Sequence, residues 1–200
     1  AGRLGVHVAA VDLDGDGIAE IVTGAGAGGG PHLKAFRFAD LAEIASFFAF
    51  DPSSRTGVTV SGQPGFLVAG TGAGDVAEVR VFRLADLAQV AAFFPFGAEF
   101  LGGVSLAAGN GLVAVGAGPG GGPTASVFTL EGNPVASLTP FDPAFGGGVS
   151  LAALGGANSQ LVVGAGPGGT PHVRIFDVTG TETASFFAFE STFDGGIFVG

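Results

Sequence analysis

The sequence has no cysteine, no methionine, no tryptophan and no tyrosine. Without cysteine there is no disulfide to staple the fold and no thiolate to ligate a metal. All 20 aromatic side chains are phenylalanine, so the amphipathic rings that favour wet binding sites are missing. Basic charge is scarce: 7 Lys+Arg stand against 17 Asp+Glu, the formal net charge is −10, and Lys34 is the one lysine. Such a surface repels nucleic acid, whose binding needs clustered Lys and Arg on the phosphates. No apolar run approaches 18 residues without a glycine or a charge, so no membrane span is expected. No secretory leader is visible, and the missing initiator methionine points to a chain that is processed, cut from something longer, or incomplete.

What the sequence does have is glycine, 39 residues of 200, and repetition. The segments Gly5–Ala10 (GVHVAA), Gly57–Val60 (GVTV), Gly103–Ala108 (GVSLAA) and Gly148–Ala153 (GVSLAA) start 52, 46 and 45 residues apart. A fifth start, Gly196–Val199 (GIFV), follows 48 residues later. A fixed period in this range means a repeat architecture. It also speaks against an enzyme, because catalytic residues occur once whereas repeated residues carry the scaffold.

Each repeat divides into four short apolar runs separated by turn chemistry. In the first these are Val6–Val11, Glu20–Gly24, His32–Phe38 and Glu43–Phe50. Later second strands are Phe66–Gly70, Leu112–Gly116 and Leu161–Gly164; third strands are Glu78–Leu84, Thr124–Leu130 and His172–Val178. The fourth strands are Val90–Phe96, Val135–Phe141 and Thr183–Phe189. Four strands per period is the signature of a β-propeller blade. The predicted fold is therefore all-β: a β-propeller of four-stranded antiparallel blades, with four repeats plus one surplus strand. One domain is expected over residues 1–200, with repeats at about 5–56, 57–102, 103–147 and 148–195 and a surplus first strand at 196–200. Helical periodicity is nearly absent, with Ala39–Glu43 and Ala85–Gln89 as candidates for one turn each. Phenylalanine recurs in the third strands (Phe36, Phe82, Phe128, Phe176) and in the fourth (Phe47, Phe48 and Phe50; Phe93, Phe94 and Phe96; Phe141; Phe186, Phe187 and Phe189). Blades stacked face to face need such two-sided apolar strands, so these rings are expected in the core between blades.

Five first strands against four of every other kind leaves Ile197–Val199 over. Either a longer array is interrupted there, or the spare strand adds to the open edge of a neighbouring copy, since edge strands template such pairing. Head-to-tail repetition of that contact gives a filament. Neighbouring domains or copies of the chain are thus the expected partners.

One motif is not repeated: Asp12-Leu-Asp14-Gly-Asp16-Gly-Ile18-Ala-Glu20. Carboxylates at alternate positions, glycine for the sharp turn, a backbone carbonyl and a further carboxylate suit a hard cation that takes six to eight oxygens. The assigned calcium ligands are the side chains of Asp12, Asp14 and Asp16, the carbonyl of Ile18 and the side chain of Glu20. The competing reading is a solvated Asp/Gly turn; against it, four uncompensated carboxylates on one turn repel each other. The loop is not an EF-hand, which needs Glu at position twelve, where Thr23 stands, and a helix on each side. The equivalent turns Ser61–Gly65, Gly109–Gly111 and Leu154–Gln160 lack the motif, so at most one site of this kind is expected.

The acidic loop, the strand Ile21–Gly24, the glycine-rich turn and Pro31-His32 together resemble FG-GAP/VCBS-type repeats. These occur in bacterial extracellular proteins and, more distantly, in the integrin α-chain propeller. The resemblance spans the chain as four repeats, although only the first carries the acidic loop. It implies calcium at Asp12, Asp14, Asp16, Ile18 and Glu20, a role in adhesion or surface display, and generally no catalysis.

Two further features point elsewhere only at first sight. The turns Gly24–Gly30, Gly116–Gly122 and Gly164–Gly169 mimic a phosphate loop, yet a strand follows each where a helix N-terminus is required; positive-φ turns explain them better. His32 and His172 share a position that Thr124 occupies in repeat three, which marks it as structural or exposed, and His7 has no nucleophile to serve. The function expected is a non-catalytic extracellular or cell-surface repeat domain serving structure or adhesion, with one calcium ion. A carbohydrate-binding propeller is the alternative, disfavoured by the absence of Trp and Tyr; an enzyme ranks third.

Overall fold

The computed structural model describes residues 5–154 and 160–200. Among the described residues sixteen strands form four separate four-stranded antiparallel sheets, each in simple meander order. The first sheet is β1 (Val6–Val11), β2 (Glu20–Ala25), β3 (His32–Phe36) and β4 (Glu43–Phe48). The second is β5 (Val58–Gln63), β6 (Phe66–Thr71), β7 (Val79–Arg83) and β8 (Gln89–Phe93). The third is β9 (Val104–Gly109), β10 (Leu112–Ala117), β11 (Ala125–Thr129) and β12 (Pro134–Leu138). The fourth is β13 (Val149–Leu154), β14 (Gln160–Ala165), β15 (His172–Asp177) and β16 (Glu182–Phe187). This is the blade pattern of a β-propeller, as the period of the sequence requires. Most of the Leu154–Gln160 turn lies outside the described residues. Among the described residues no helix is long and apolar enough to cross a membrane.

The two candidate helical turns are not helices. Leu41 and Leu87 take left-handed conformations (φ 58° and 55°) that end the preceding turn and start the fourth strand. Arg37–Asp40 and Arg83–Asp86 ion pairs brace these turns at 3.0 and 2.9 Å.

The chain divides into two compact units, at Gly103/Val104. In the first unit the two sheets meet along β1 and β5. Val22, Leu33 and Ala35 face Val58, Val60, Leu67 and Phe82 in one apolar core. In the second unit β9 lies along β13, and Ala114, Val127 and Leu138 share a core with Leu151, Val163 and Phe176. The sheets approach closely because glycine stands in the second strands. A Cβ on Gly24 would lie 2.5 Å from the Val58 carbonyl oxygen, and one on Gly116 would lie 2.7 Å from Val149 Cγ2.

The glycine-rich turns need positive φ less than expected. One glycine turns at the same place in each repeat (Gly28, Gly74, Gly120 and Gly168), joined in the third by Gly122, and the N–H of that shared glycine donates to the linker leaving its blade, at Arg55, Leu101, Gly146 and Asp194. Gly24 and Gly26 are there for close approach instead.

The phenylalanines also divide. In every blade the register slips just before the third-strand phenylalanine, a bulge that re-aims the side chain. Phe82, Phe128 and Phe176 are buried there. Most fourth-strand rings are not core. Phe48, Phe94, Phe186, Phe187 and Phe189 are half exposed or more. The fourth strand is the far edge of its sheet, where a neighbouring blade no longer covers both faces. Phe48 and Phe187 instead stack on His32 and His172, at 4.7 and 4.6 Å between ring centroids. Both histidines are thus half-buried structural partners of a phenylalanine.

Residues 196–200 form no strand ladder, because a first strand pairs with the second strand of its own blade and none follows among the described residues. Ile197 is nonetheless seated as a first strand would be. Its carbonyl accepts from Ser150 Oγ at 2.6 Å, as the Val149 carbonyl accepts from Ser105 Oγ at 2.7 Å. It is 6% exposed and packs on Val162 and Val173.

Candidate metal centre

The acidic loop joins β1 to β2, and these strands pair from Val6↔Ala25 to Val11↔Glu20. That register places Asp12 directly after the last paired residue of β1 and Glu20 at the first of β2. The eight residues of the excursion therefore leave from and return to one point.

The loop winds on its own carboxylates. Asp12 accepts from the Gly15 N–H at 2.7 Å through Oδ1 and from the Gly17 N–H at 2.9 Å through Oδ2. Asp14 Oδ1 accepts from the Asp16 N–H at 3.2 Å, and Asp16 Oδ1 from the Ile18 N–H at 2.7 Å. Such side-chain caps are what short acidic residues offer a turning backbone. Gly15 and Gly17 take φ of 82° and 87°, the left-handed conformation for which glycine is the default.

Of the five expected ligands, three come together. Carboxylate oxygens of Asp12, Asp14 and Glu20 lie within 4.8 Å of one another. Asp16 stands outside that group, its carboxylate turned to Ile18; the Ile18 side chain is exposed. Glu20 is the informative member. It is 2% exposed, and Oε2 accepts the Leu13 N–H at 2.8 Å. A buried carboxylate is costly unless hydrogen-bonded and balanced by positive charge. No Lys or Arg forms an ion pair with it among the described residues. The donor set is oxygen only, which suits a hard cation over zinc or copper.

Sequence reasoning passed over Leu13, between the first two aspartates. It is fully buried, and its carbonyl accepts the Gly65 N–H of the second sheet at 2.7 Å. The loop is therefore pinned between two sheets by one apolar side chain. The signal was present in the single apolar residue flanked by aspartates, but it reads as an ordinary variable position.

Two arginines were also missed. Arg80 donates to the Ala49 carbonyl at 3.1 Å, lies 4.9 Å from the Phe50 ring centroid and pairs with Glu78 at 2.7 Å. Arg174, at the same third-strand position, donates to the Pro140 carbonyl and pairs with Glu182. Each ties its blade to the end of the preceding fourth strand within one unit. Their shared position was legible; their reach was not.

With the loop in view, residues 4–34 match the FG-GAP repeat model. The first repeat is similar to the FG-GAP repeat, and the fold is that of a β-propeller. No curated protein matches the sequence. Solved structures do match in fold. A chain of the mitotic checkpoint complex is 16% identical with a TM-score of 0.59, over 92% of this chain and 52% of that one. Hsv2p of Kluyveromyces lactis is 16% identical with a TM-score of 0.55, over 89% and 50%. Quinohemoprotein alcohol dehydrogenase ADHIIG of Pseudomonas putida HK5 is 17% identical with a TM-score of 0.53, over 84% and 33%. The chain spans about half the length of the first of these. At such identities the likeness is one of fold alone.

Proposed function

We propose that the chain is a non-catalytic repeat domain of an extracellular or cell-surface protein, serving structure or adhesion, with one calcium ion in the Asp12–Glu20 loop. The observation that carries this is the convergence of Asp12, Asp14 and Glu20 within 4.8 Å around a buried Glu20 carboxylate. The match of residues 4–34 to the FG-GAP repeat supports it. Calcium would balance the charge of the converging carboxylates and fix the loop, with Asp16 and the Ile18 carbonyl completing the oxygen set. Holding that loop rigid sets the seat of Leu13 between the two sheets of the first unit. The ion would thus act on stability, and through it on display of the surface. The backbone edge at Ile197–Val199 is the place where a neighbouring domain or copy would add.

The test is the melting temperature in excess calcium against excess chelator, on the unaltered chain and on Asp14→Ala. A ligand that binds only the folded state stabilises by mass action, by about 2.7 kcal/mol at a hundredfold excess over Kd. Calcium is expected to raise the melting temperature of the unaltered chain and to leave Asp14→Ala unmoved. No rise in the unaltered chain would reduce the loop to a self-capped turn.

A further inference from the structure

One face of the first unit and one face of the second are the two halves of a contact that each unit already makes inside itself. Val8 pairs with Thr23 and Thr23 with Lys34, so their side chains stand on one side of the first sheet. The second sheet rests on the other side, against Val22, Leu33 and Ala35. Val60, Ala69 and Arg80 form the same row in the second sheet, and there the first sheet covers it. Val60 is 8% exposed, whereas Val8, at the same position, is 64% exposed.

The last sheet carries the complementary face. Its Val162 and Val173 pack with Ile197 and Val199 of the final segment. That segment stands in for a first strand but brings no third strand with it, and the outer part of the face is bare. Phe186 and Phe189 are more than half exposed there. Their counterparts on the first sheet are covered by the second. Phe47 meets Phe82 edge-on at 4.8 Å between centroids, and buried Phe50 lies under Arg80. The two covering side chains have equivalents on the first sheet: Phe36 holds the Phe82 position and Lys34 the Arg80 position.

We infer that the last sheet of one copy takes the first sheet of a second copy, in the geometry by which the first sheet already takes the second. Lys34 then reaches the Ala188 carbonyl and the Phe189 ring of the other copy, as Arg80 reaches Ala49 and Phe50. Phe36 meets Phe186, and Val8 enters the seat that Val199 holds, displacing the final segment. A second copy is the fitting occupant because this contact recurs inside each unit, of β5 on β1 and β2 and of β13 on β9 and β10. The contact rests on the reading of the chain as a repeat domain to which a neighbour adds, and it names that neighbour. Its apparent affinity is lowered by the fraction of chains whose seat is already filled.

The experiment is sedimentation of the full chain over rising concentration, in salt that screens the net charge of −10 on each copy. The unaltered chain is expected to associate, and Val8→Asp and Phe189→Asp each to weaken association by about thirtyfold or more. Both positions are exposed in the single chain, so neither substitution touches its core. Each variant keeps one sound face, so a mixture of the two should form a complex that neither forms alone. Ile197→Ala, which loosens the segment in the seat, should tighten association by about tenfold. If the unaltered chain and Ile197→Ala both stay monomeric, the inference is overturned. A mixture that stays monomeric overturns it too, as does an Ile197→Ala chain that associates less than the unaltered one. None of these outcomes bears on the calcium-dependent melt of the unaltered chain against Asp14→Ala, so the docking and the metal-bearing repeat stand or fall separately.

Discussion

The backbone N–H of Leu13 donates to Glu20 Oε2 at 2.8 Å, so one buried carboxylate is at once the anchor of an apolar plug and a wall of the acidic cluster. The two roles separate by substitution. Glu20→Gln keeps an acceptor for Leu13 and removes the charge. Its melting temperature without calcium should stay close to that of the unaltered chain, while the calcium-dependent rise is largely lost. Glu20→Ala leaves a buried N–H unpaired and should cost about 1–3 kcal/mol even in chelator. Thermal melts of both variants with and without calcium check the pair.

Leu13→Ala opens a cavity between the sheets of the first unit. Burial of the full side chain predicts a loss of about 2–5 kcal/mol. The carboxylates are untouched, so calcium should still raise the melting temperature from this lower base. Urea unfolding with and without calcium measures both terms.

Four strands per repeat and the place of the acidic loop were legible in the sequence because each rests on a local rule, although the fourth strands end earlier than expected, β4 at Phe48 rather than Phe50 and β8 at Phe93 rather than Phe96. Strand residues alternate, turns carry glycine, and the period sets the blade. The start of β1 at Val6 and of β2 at Glu20 follow from that alone. What the sequence hid is what depends on a second sheet. Leu13 and Arg80 act on residues of another blade, at Gly65 and Ala49, and no local pattern announces a partner that far along the chain. The fourth-strand phenylalanines misled for the same reason: composition marks them apolar, but exposure depends on whether a neighbouring sheet reaches the far edge. Phe50 is 7% exposed and its counterpart Phe189 is 61% exposed.

Gly24 shows how narrow the spacing between sheets is. Alanine there would set its Cβ 2.5 Å from a backbone oxygen of Val58, which cannot rotate away. Gly24→Ala should cost about 1–3 kcal/mol by overpacking. Gly65→Ala is the control, because open space surrounds that position and only its φ of 80° is strained. It should cost about 1–2 kcal/mol. Chemical denaturation ranks the two.

Acid should weaken the fold through His172. Burial, then the Arg174 charge, holds its pKa below the ordinary histidine value, against a smaller opposing pull from Glu182. The unfolded chain therefore binds this proton at a higher pH than the folded one. Stability contributed by the neutral ring is complete above the unfolded pKa of about 6.5 and is lost as pH falls below it. The hydrogen bond from Arg174 depresses Glu182, whose contribution is lost only near pH 4.5 and below. Between pH 7.5 and 5.5 the melting temperature should fall, and His172→Gln should flatten that slope whatever its effect on the absolute value.

Ile197 decides whether the end of the chain is part of the fold. Its N–H donates to the Ala165 carbonyl at 2.8 Å, and a Cβ on Gly164 would lie 3.1 Å from its Cγ2. The same glycine position faces Val58 in the first unit and Val149 in the second, so the contact is the one that joins a blade to the next. A segment held that way melts with the unit; a loose tail does not. Ile197→Ala should therefore lower the stability of the second unit by about 2–5 kcal/mol. Phe198→Ala should change it little, because that ring is 88% exposed. Hydrogen exchange at the Ile197 amide gives the independent reading. Protection that tracks the amides of β14 means a docked first strand, and exchange at the free-chain rate means that the segment adds nothing to the sheet it lies on.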